Sequence, residues 1–311
     1  MHYTLKHLRY VEAAERHHSI TAAAHSLNVS ASSIAAAIDH LDGQTDQPIF
    51  ERTPSRGIHA TSFGRSFIEE IRRFLAAQTQ FDLRIRELGP LLDGTARIAC
   101  FTPLAPILLP TILTDVQRRH PNLKIEIMEV STYEIPIAIE SGEADFALCY
   151  SPADTGQHHF TPLFPAPPHA ALPALHPLAS GRFVTLEQLA PEPLVALDQE
   201  HSKKYLLDLF AARGLSANIV YSARSTDMMR ALIAAGMGYG VFNIRPMSKQ
   251  TYATGDLVRL PLEGKHKSPS AGILVRRDIV LTTVCKAIIG ACQMQAMTGT
   301  FDRAIIHPHV S

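Results

Sequence analysis

Side chains able to do chemistry in this chain are mostly hydroxyls and cations at helix starts, not paired acids and bases. Thr21 precedes the alanine-rich run Ala22–Leu27, and Ser30 precedes a second run from Ala31 to about Leu41; both are placed to cap helices. Further along, Thr102, Ser131, Thr132, Ser202 and Thr226 recur where a strand-like apolar run gives way to a helical one. A helix start offers unpaired backbone N–H groups and a positive dipole end, so this is the chemistry of anion binding. For each hydroxyl alone, simple capping is the better reading. Several such ends facing one cleft suit a carboxylate or sulfonate, and Lys203, Lys204 and Arg245 add charge nearby. Phe242-Asn243, at the end of the strand after a glycine-rich turn, completes the expected pocket.

Catalysis and metal binding find no such support. No Ser/His/Asp arrangement emerges from the spacing. The pairs His17-His18 and His158-His159 are adjacent, so their side chains diverge and no metal site is expected. Cys100, Cys149, Cys285 and Cys292 form no CxxC pair and read as small buried hydrophobes in a reducing compartment. Gly236-x-Gly238-x-Gly240 lacks the context of a dinucleotide loop. Neither catalytic residues nor a bound cofactor is expected.

The elements that carry these residues fall into two patterns. Leu5, Leu8, Val11 and Ala14 open an amphipathic helix, and two short helices follow, joined by the turn Asn28-Val29-Ser30. That is a helix-turn-helix layout, spanning about 21–40. Pro48–Arg52 and Ile58–Ala60, separated by Thr53–Gly57, read as a two-stranded wing. Thr61 then caps a long helix, Ser62 to about Leu88. Its stripe of Phe63, Phe67, Ile71, Phe74, Leu75, Phe81 and Leu88 predicts a partner, most simply a second copy. Gly89-Pro90 ends this helix, and Asp93-Gly94 reads as a hinge. From Thr95 strands and helices alternate, predicting a mostly parallel sheet repeated in two lobes. The nine prolines between Pro152 and Pro193 mark loops and edge strands.

Composition limits the function classes. The chain has 311 residues, with 29 Lys+Arg against 29 Asp+Glu and 16 His. That balance excludes a generally basic nucleic-acid coat and an acidic disordered tail. The polar N-terminus lacks the apolar core of a secretory signal, and no uninterrupted apolar run reaches the ~20 residues of a membrane span. A cytoplasmic protein is expected.

The residues then resemble a known family, the LysR-type bacterial transcriptional regulators. In the first part the likeness rests on Ser19–Ala24, Leu27, Ser30, Ile34, Ile38, Leu41-Asp42, Pro48–Arg52 and Ala60–Gly64. Later it rests on Leu109-Pro110, His120-Pro121, Ser141–Ala147, His176–Ala179 and Ala234–Gly240. The stretch Thr61–Phe67 looks closest to a subgroup including regulators of aromatic-sulfonate and sugar-related genes. The resemblance implies an α/β protein with an N-terminal all-α winged helix-turn-helix (1–61) and a linker and dimerisation helix with its hinge (62–92). A two-lobed effector domain like a type 2 periplasmic binding protein follows (93–311), with lobe I at about 93–161 and 278–300 and lobe II at about 162–277. It further implies double-stranded promoter DNA, a non-covalent small-molecule effector, self-association to dimers and tetramers, and contact with RNA polymerase as partners.

On that likeness the recognition helix follows Ser30. Where the family usually has a base-reading Gln this chain has Ala31, and Ser32, Ser33, Ala35 and Ala36 supply only hydroxyls and methyls. Methyls meet thymine methyls and serines bond either base type, so direct readout is thin and shape carries more of the specificity. Thr21, Ser30, Arg52 and Arg56 are assigned to phosphates, with an ordinary solvated charge as the alternative for the arginines. For His40 a surface bystander is the favoured reading and a phosphate contact the alternative. Asp39 departs from the family's basic tendency, and Asn243 stands where proline is common. Residues 1–64 hold five Lys/Arg, six Asp/Glu and seven histidines, so even this part is not basic.

Overall fold

The computed structural model describes residues 3–45, 47–53, 57–87, 92–153, 155–246 and 255–308. The chain divides into two compact units, Met1–Pro90 and Leu91–Ser311.

In the first unit, helix α1 (Leu5–His17) is capped by Thr4, whose side chain accepts from His7 N, and it ends at His18 in the left-handed region. Helix α2 (Ile20–Ser26) is capped by Ser19 and not by Thr21. Ser19 is the last extended residue, so its hydroxyl reaches the Ala22 N–H; Thr21 lies inside the first turn, exposed. Asn28 makes the next turn at φ 53°, a conformation asparagine tolerates. Helix α3 (Ala31–Thr45) runs a turn further than its apolar pattern suggests. Strands β1 (Phe50–Thr53) and β2 (Gly57–Ala60) pair antiparallel as the wing. Alanines at the helix crossings (Ala14, Ala23, Ala24, Ala37) let Val11, Ile34, Ile38, Leu41 and Ile49 close a buried core.

Helix α4 (Ser62–Glu87) starts where the Thr61 hydroxyl accepts from Gly64 N (2.8 Å) and donates to Pro48 O (2.7 Å). A Cβ on Gly64 would stand 1.9 Å from Ile49 O, so only glycine permits this approach of helix to wing. The apolar stripe of α4 does not need a partner over its whole length. Ile68 and Ile71 are buried in the unit's own core, and Phe63, Phe67 and Leu75 pack against it. Arg72 bonds Glu15 of α1 (2.5 Å). Among the described side chains of the stripe, Phe74 and Phe81 are uncovered, 54% and 61% exposed. The side chain of Leu88 and the expected break at Gly89-Pro90 lie outside the described residues.

The second unit begins with β3 (Gly94–Phe101), α5 (Ala105–Arg119), β4 (Leu123–Val130), α6 (Glu134–Glu140), β5 (Phe146–Tyr150) and β6 (His158–Pro165). It continues with β7 (His169–Pro173), α7 (Leu186–Leu189), β8 (Leu194–Leu197), α8 (Glu200–Ala211), β9 (Ile219–Ala223) and α9 (Thr226–Ala234). Strands β10 (Gly240–Phe242), β11 (Leu257–Pro261) and β12 (Ser270–Arg276) and helix α10 (Thr283–Met297) complete it. One lobe is a five-stranded sheet in the order β4-β3-β5-β12-β6 with α5, α6 and α10 packed on it. The other holds the triplet β10-β7-β11 and the pair β8-β9, covered by α7 and α8 on one face and α9 on the other.

Each lobe is mostly parallel, as expected, with one strand reversed. β3, β4 and β5 are parallel, but β12 is antiparallel to both β5 and β6. In the other lobe β7 is antiparallel to β10 and β11, while β8 is parallel to β9 and, through the bridge Leu194–Tyr239, to the chain entering β10, so β7 alone is reversed. The reason is the two crossings between lobes: a strand arriving from the neighbouring lobe enters from the opposite end to one preceded by a helix of its own lobe. The proline-rich stretch contains β6 and β7. β6 lies at a sheet edge with a register shift beside Pro162, as proline demands, whereas β7 is central and keeps its only proline besides the flanks at its last residue.

Candidate functional site

At the start of α3 the Ser30 hydroxyl accepts from Ser33 N (3.2 Å) and lies 2.9 Å and 2.8 Å from the Ser32 and Ser33 hydroxyls. These three serines, Ala31 and Ala36 are exposed; Ala35 is half-buried. The tip of the helix thus presents hydroxyls and methyls over its free N–H groups, with no cationic side chain among them. One turn on, Asp39 and His40 are both exposed. His40 Nε2 lies 2.9 Å from Gln44 Nε2, within hydrogen-bond distance. Its ring also stands edge-on to His7 at 4.9 Å. Burial, then His40 and Lys6, hold His7 below the usual histidine range.

The wing is tied down at its root. Ile58 N donates to His18 O (3.3 Å), and the His18 and His59 rings approach to 5.8 Å. Arg52 sits on β1 opposite Ile58. Its side chain, and the whole of Arg56, lie outside the described residues.

In the second unit the predicted hydroxyls fall into two groups, one in each lobe. Thr102 and Ser131 meet at the adjacent ends of β3 and β4: Thr102 donates from both N (3.0 Å) and Oγ1 (3.2 Å) to Val130 O. Ser131 N donates to a Glu134 carboxylate oxygen (2.7 Å), and Thr132 beside it is half-buried. Bonds from Ser131 hold Glu134 below the usual carboxylate range, so the α6 start already carries an ionised acid. An anion at this end of the cleft would meet that charge.

In the other lobe α8 follows Gln199, which makes no side-chain cap, and Ser202 and Lys203 on its first turn are half-buried. Lys204 pairs with Asp208 of its own helix (3.0 Å). The cap of α9 is Ser225, accepting from Met228 N (3.1 Å), which leaves Thr226 as the half-buried first helical residue. Phe242 stacks on His169 with ring centroids 6.2 Å apart. Asn243 acts as a tie between lobes: its Nδ2 donates to Ala166 O (2.8 Å) and to the Tyr205 hydroxyl (3.0 Å), which in turn donates to Lys267 O (2.9 Å). Ala166 and Lys267 lie on the two crossings between lobes. Sequence reasoning had no signal for Tyr205, because nothing in α8 alone shows that its tip reaches a distant loop. It also passed over His169, Arg230 and Arg259, which share a recess with Arg245.

The glycine-rich turn is explained by packing. Gly236 follows the C-terminus of α9 at φ 83°, and a Cβ on Gly238 (φ 141°) would stand 2.3 Å from Pro193 O. The turn is pressed against the strand before it, which suits a glycine and no phosphate loop. All four cysteines are buried, and burial pushes Cys149 and Cys292 up to about 12. Among the described residues no group of three His, Cys, Asp or Glu could hold a metal ion. No helix among them is long and apolar enough to cross a membrane.

Residues 5–65 match the bacterial regulatory helix-turn-helix protein family, lysR type, and residues 90–296 match the LysR substrate binding domain. The chain belongs to the LysR family. Its relatives include the Hca operon transcriptional activator HcaR of Escherichia coli, 29% identical over 87% of this chain and 90% of HcaR. CysB of Burkholderia cenocepacia is 28% identical over 76% of this chain and 77% of its own length. Among solved structures, HinK of Pseudomonas aeruginosa, a LysR family transcriptional regulator, superposes with a TM-score of 0.62 at 26% identity, covering 95% of this chain and 99% of HinK. Full-length BenM superposes at 0.59 with 25% identity, covering 96% of this chain and 98% of BenM. As a LysR-type regulator the chain is a DNA-binding transcription factor with an effector-binding domain, and not an enzyme.

Proposed function

We propose that this regulator binds promoter DNA through α3 and the wing, as a multimer, and answers to a small anionic metabolite held non-covalently between its two lobes. The observation that carries the DNA reading is the exposed start of α3. Its three linked hydroxyls and free backbone N–H groups suit phosphate and base edges at once. Thr21, Ser30 and the wing arginines hold phosphates; Ala31, Ser32, Ser33, Ala35 and Ala36 face bases. His40, engaged by Gln44 and His7, is a bystander. The exposed Phe74 and Phe81 on α4 support self-association, to dimers and then tetramers. Contact with RNA polymerase and a cytoplasmic location complete the reading; no cofactor is part of it.

The effector reading rests on the half-buried Ser202, Lys203 and Thr226 at helix starts of one lobe, opposite Thr102, Ser131 and Thr132 of the other, with Phe242 and Asn243 at the hinge. Glu134 turns the anionic end of the ligand toward Lys203. Several relatives are named as activators of hydrogen peroxide-inducible genes. The buried thiols here favour a metabolite over a thiolate response. A gel-shift assay on the promoter region beside the gene tests the proposal. Retardation at low salt that changes with added carboxylates or sulfonates is expected; no retardation under any of these conditions would sink it.

A further inference from the structure

The two lobes are joined at a third place besides the two crossings of the chain. Strand β10 belongs to the lobe of β7, with which it pairs. Two residues past its end, Ile244 is 5% exposed and buried in the core of the other, five-stranded lobe. Arg245 is then held twice by the C-terminal segment: its N–H donates to Ala304 O (2.9 Å) and its Nε to Arg303 O (2.9 Å). That segment is itself anchored on the five-stranded lobe. Gly299 turns the chain back after α10 at φ 71°, and Thr300 N donates to Gln295 O (2.9 Å). Phe301 packs on Phe164 of β6 with ring centroids 5.1 Å apart, and Phe301, Ala304 and Ile305 are buried.

Residues 242–245 therefore engage both lobes in turn. Phe242 stacks on His169 and Asn243 bonds the Tyr205 hydroxyl, both in the lobe of β10, before Ile244 and Arg245 enter the other. Two crossings alone form a hinge, and rotation between lobes is the ordinary behaviour of such a joint. A third attachment stiffens it. Pulling this one apart would return Ile244 to water and take the Arg245 N–H from its acceptor, and both changes oppose rotation. An ordinary core contact would stabilise the five-stranded lobe equally well but would leave the angle between lobes free.

We propose that Ile244, Arg245 and residues 300–305 form a clasp that fixes the angle between the lobes, so that the C-terminal segment governs how far the cleft opens. The inference holds whatever the cleft binds, and it does not rest on the DNA reading.

Spin labels on the full chain, without DNA or effector, read the angle between lobes. All four native cysteines are buried, so Arg118→Cys on α5 and Lys204→Cys on α8, both exposed, take the labels selectively. Distances between the labels, measured by pulsed electron resonance, should form one narrow distribution in the labelled parent. Ile244→Ala and Arg245→Met should each broaden it or add a second population. Val116→Ala, a core change elsewhere in the five-stranded lobe, should lower Tm and leave the distribution alone. Hydrogen exchange supplies a readout in the unmodified chain: the Arg245 N–H should be protected together with residues 300–305. Ile244→Ala should speed its exchange about 30-fold or more. An equally narrow distribution in every variant, or an Arg245 N–H that exchanges in the unmodified chain as fast as an unstructured amide, overturns the proposal. If Ile244→Ala fails to fold, Arg245→Met, which leaves the apolar core intact, decides the outcome.

Discussion

The start of α3 and the recess beneath α9 distribute cationic side chains in opposite ways. The first must meet a polyanion, yet exposes three serines and two alanines, with Asp39 a turn away. The second lies in the effector-binding unit, and gathers three arginines and a buried histidine. DNA delivers many phosphates at once and can be held by backbone N–H groups, hydroxyls and several copies of a weak site. Net charge is zero over the whole chain, and it predicts neither arrangement.

The two units carry separate cores, and substitutions in each core should have the largest effects. Leu41→Ala should destabilise the first unit by ~2–5 kcal/mol, and Phe146→Ala the second by ~3–5 kcal/mol. Each should move one calorimetric transition and spare the other; a single shared shift would show that the two units unfold as one.

Acid should act on the second unit through His169. Burial, Arg259 and Arg245 lower its pKa from 6.5 to about 3. The unfolded chain takes up this proton below its ordinary pKa and the folded chain does not, so stability is full above pH 6.5 and falls as pH drops toward 3. The loss should reach about 2 kcal/mol by pH 5. His169→Phe should flatten the pH dependence over this range when midpoints are compared by urea denaturation. An unchanged slope would mean that carboxylates elsewhere cause the acid sensitivity.

Smaller effects probe the uncharged recognition helix. Ala31→Gln adds a bidentate reader of adenine and should strengthen binding to an operator with adenine at that step by ~1–3 kcal/mol, with a sharper base preference. Equal strengthening on every sequence would show that residue 31 faces the backbone. Last, two wing arginines in each of two subunits, at about −0.9 per contact, give a slope of roughly −3.6 in log K against log salt. Burial holds His7 and His17 below the usual histidine range, so neither should add a phosphate contact on acidification to pH 6.5. A steep salt slope would show that cations outside the described side chains dominate.

Much of the architecture was legible because helix periodicity and capping are local. The three helices, the wing and the long helix follow from Leu8, Val11, Ser30, Ile34, Ile38 and Thr61, each acting within a few residues of itself. Thr21 was misplaced as a cap because Ser19 and Thr21 are both good caps, and only backbone dihedrals separate them. The sheets were less legible: strand direction depends on where the chain crosses between lobes, which no local pattern records. The α4 stripe looked unpartnered because its covering surface, around Leu8, Val11 and Ile38, lies far back in the sequence.

By itself the sequence determined the family, the order of elements, the serine-tipped helix and the scarcity of cations around it, since composition and short-range spacing are enough for these. Only the tertiary structure decided that Asn243 and Tyr205 tie the two crossings together, and that Glu134 occupies one helix start. The same holds for the meeting of His169, Arg230, Arg245 and Arg259. Those arginines belong to a helix, a strand and the segment between them, and their charges come to share one space only through sheet pairing and the packing of α9 across it.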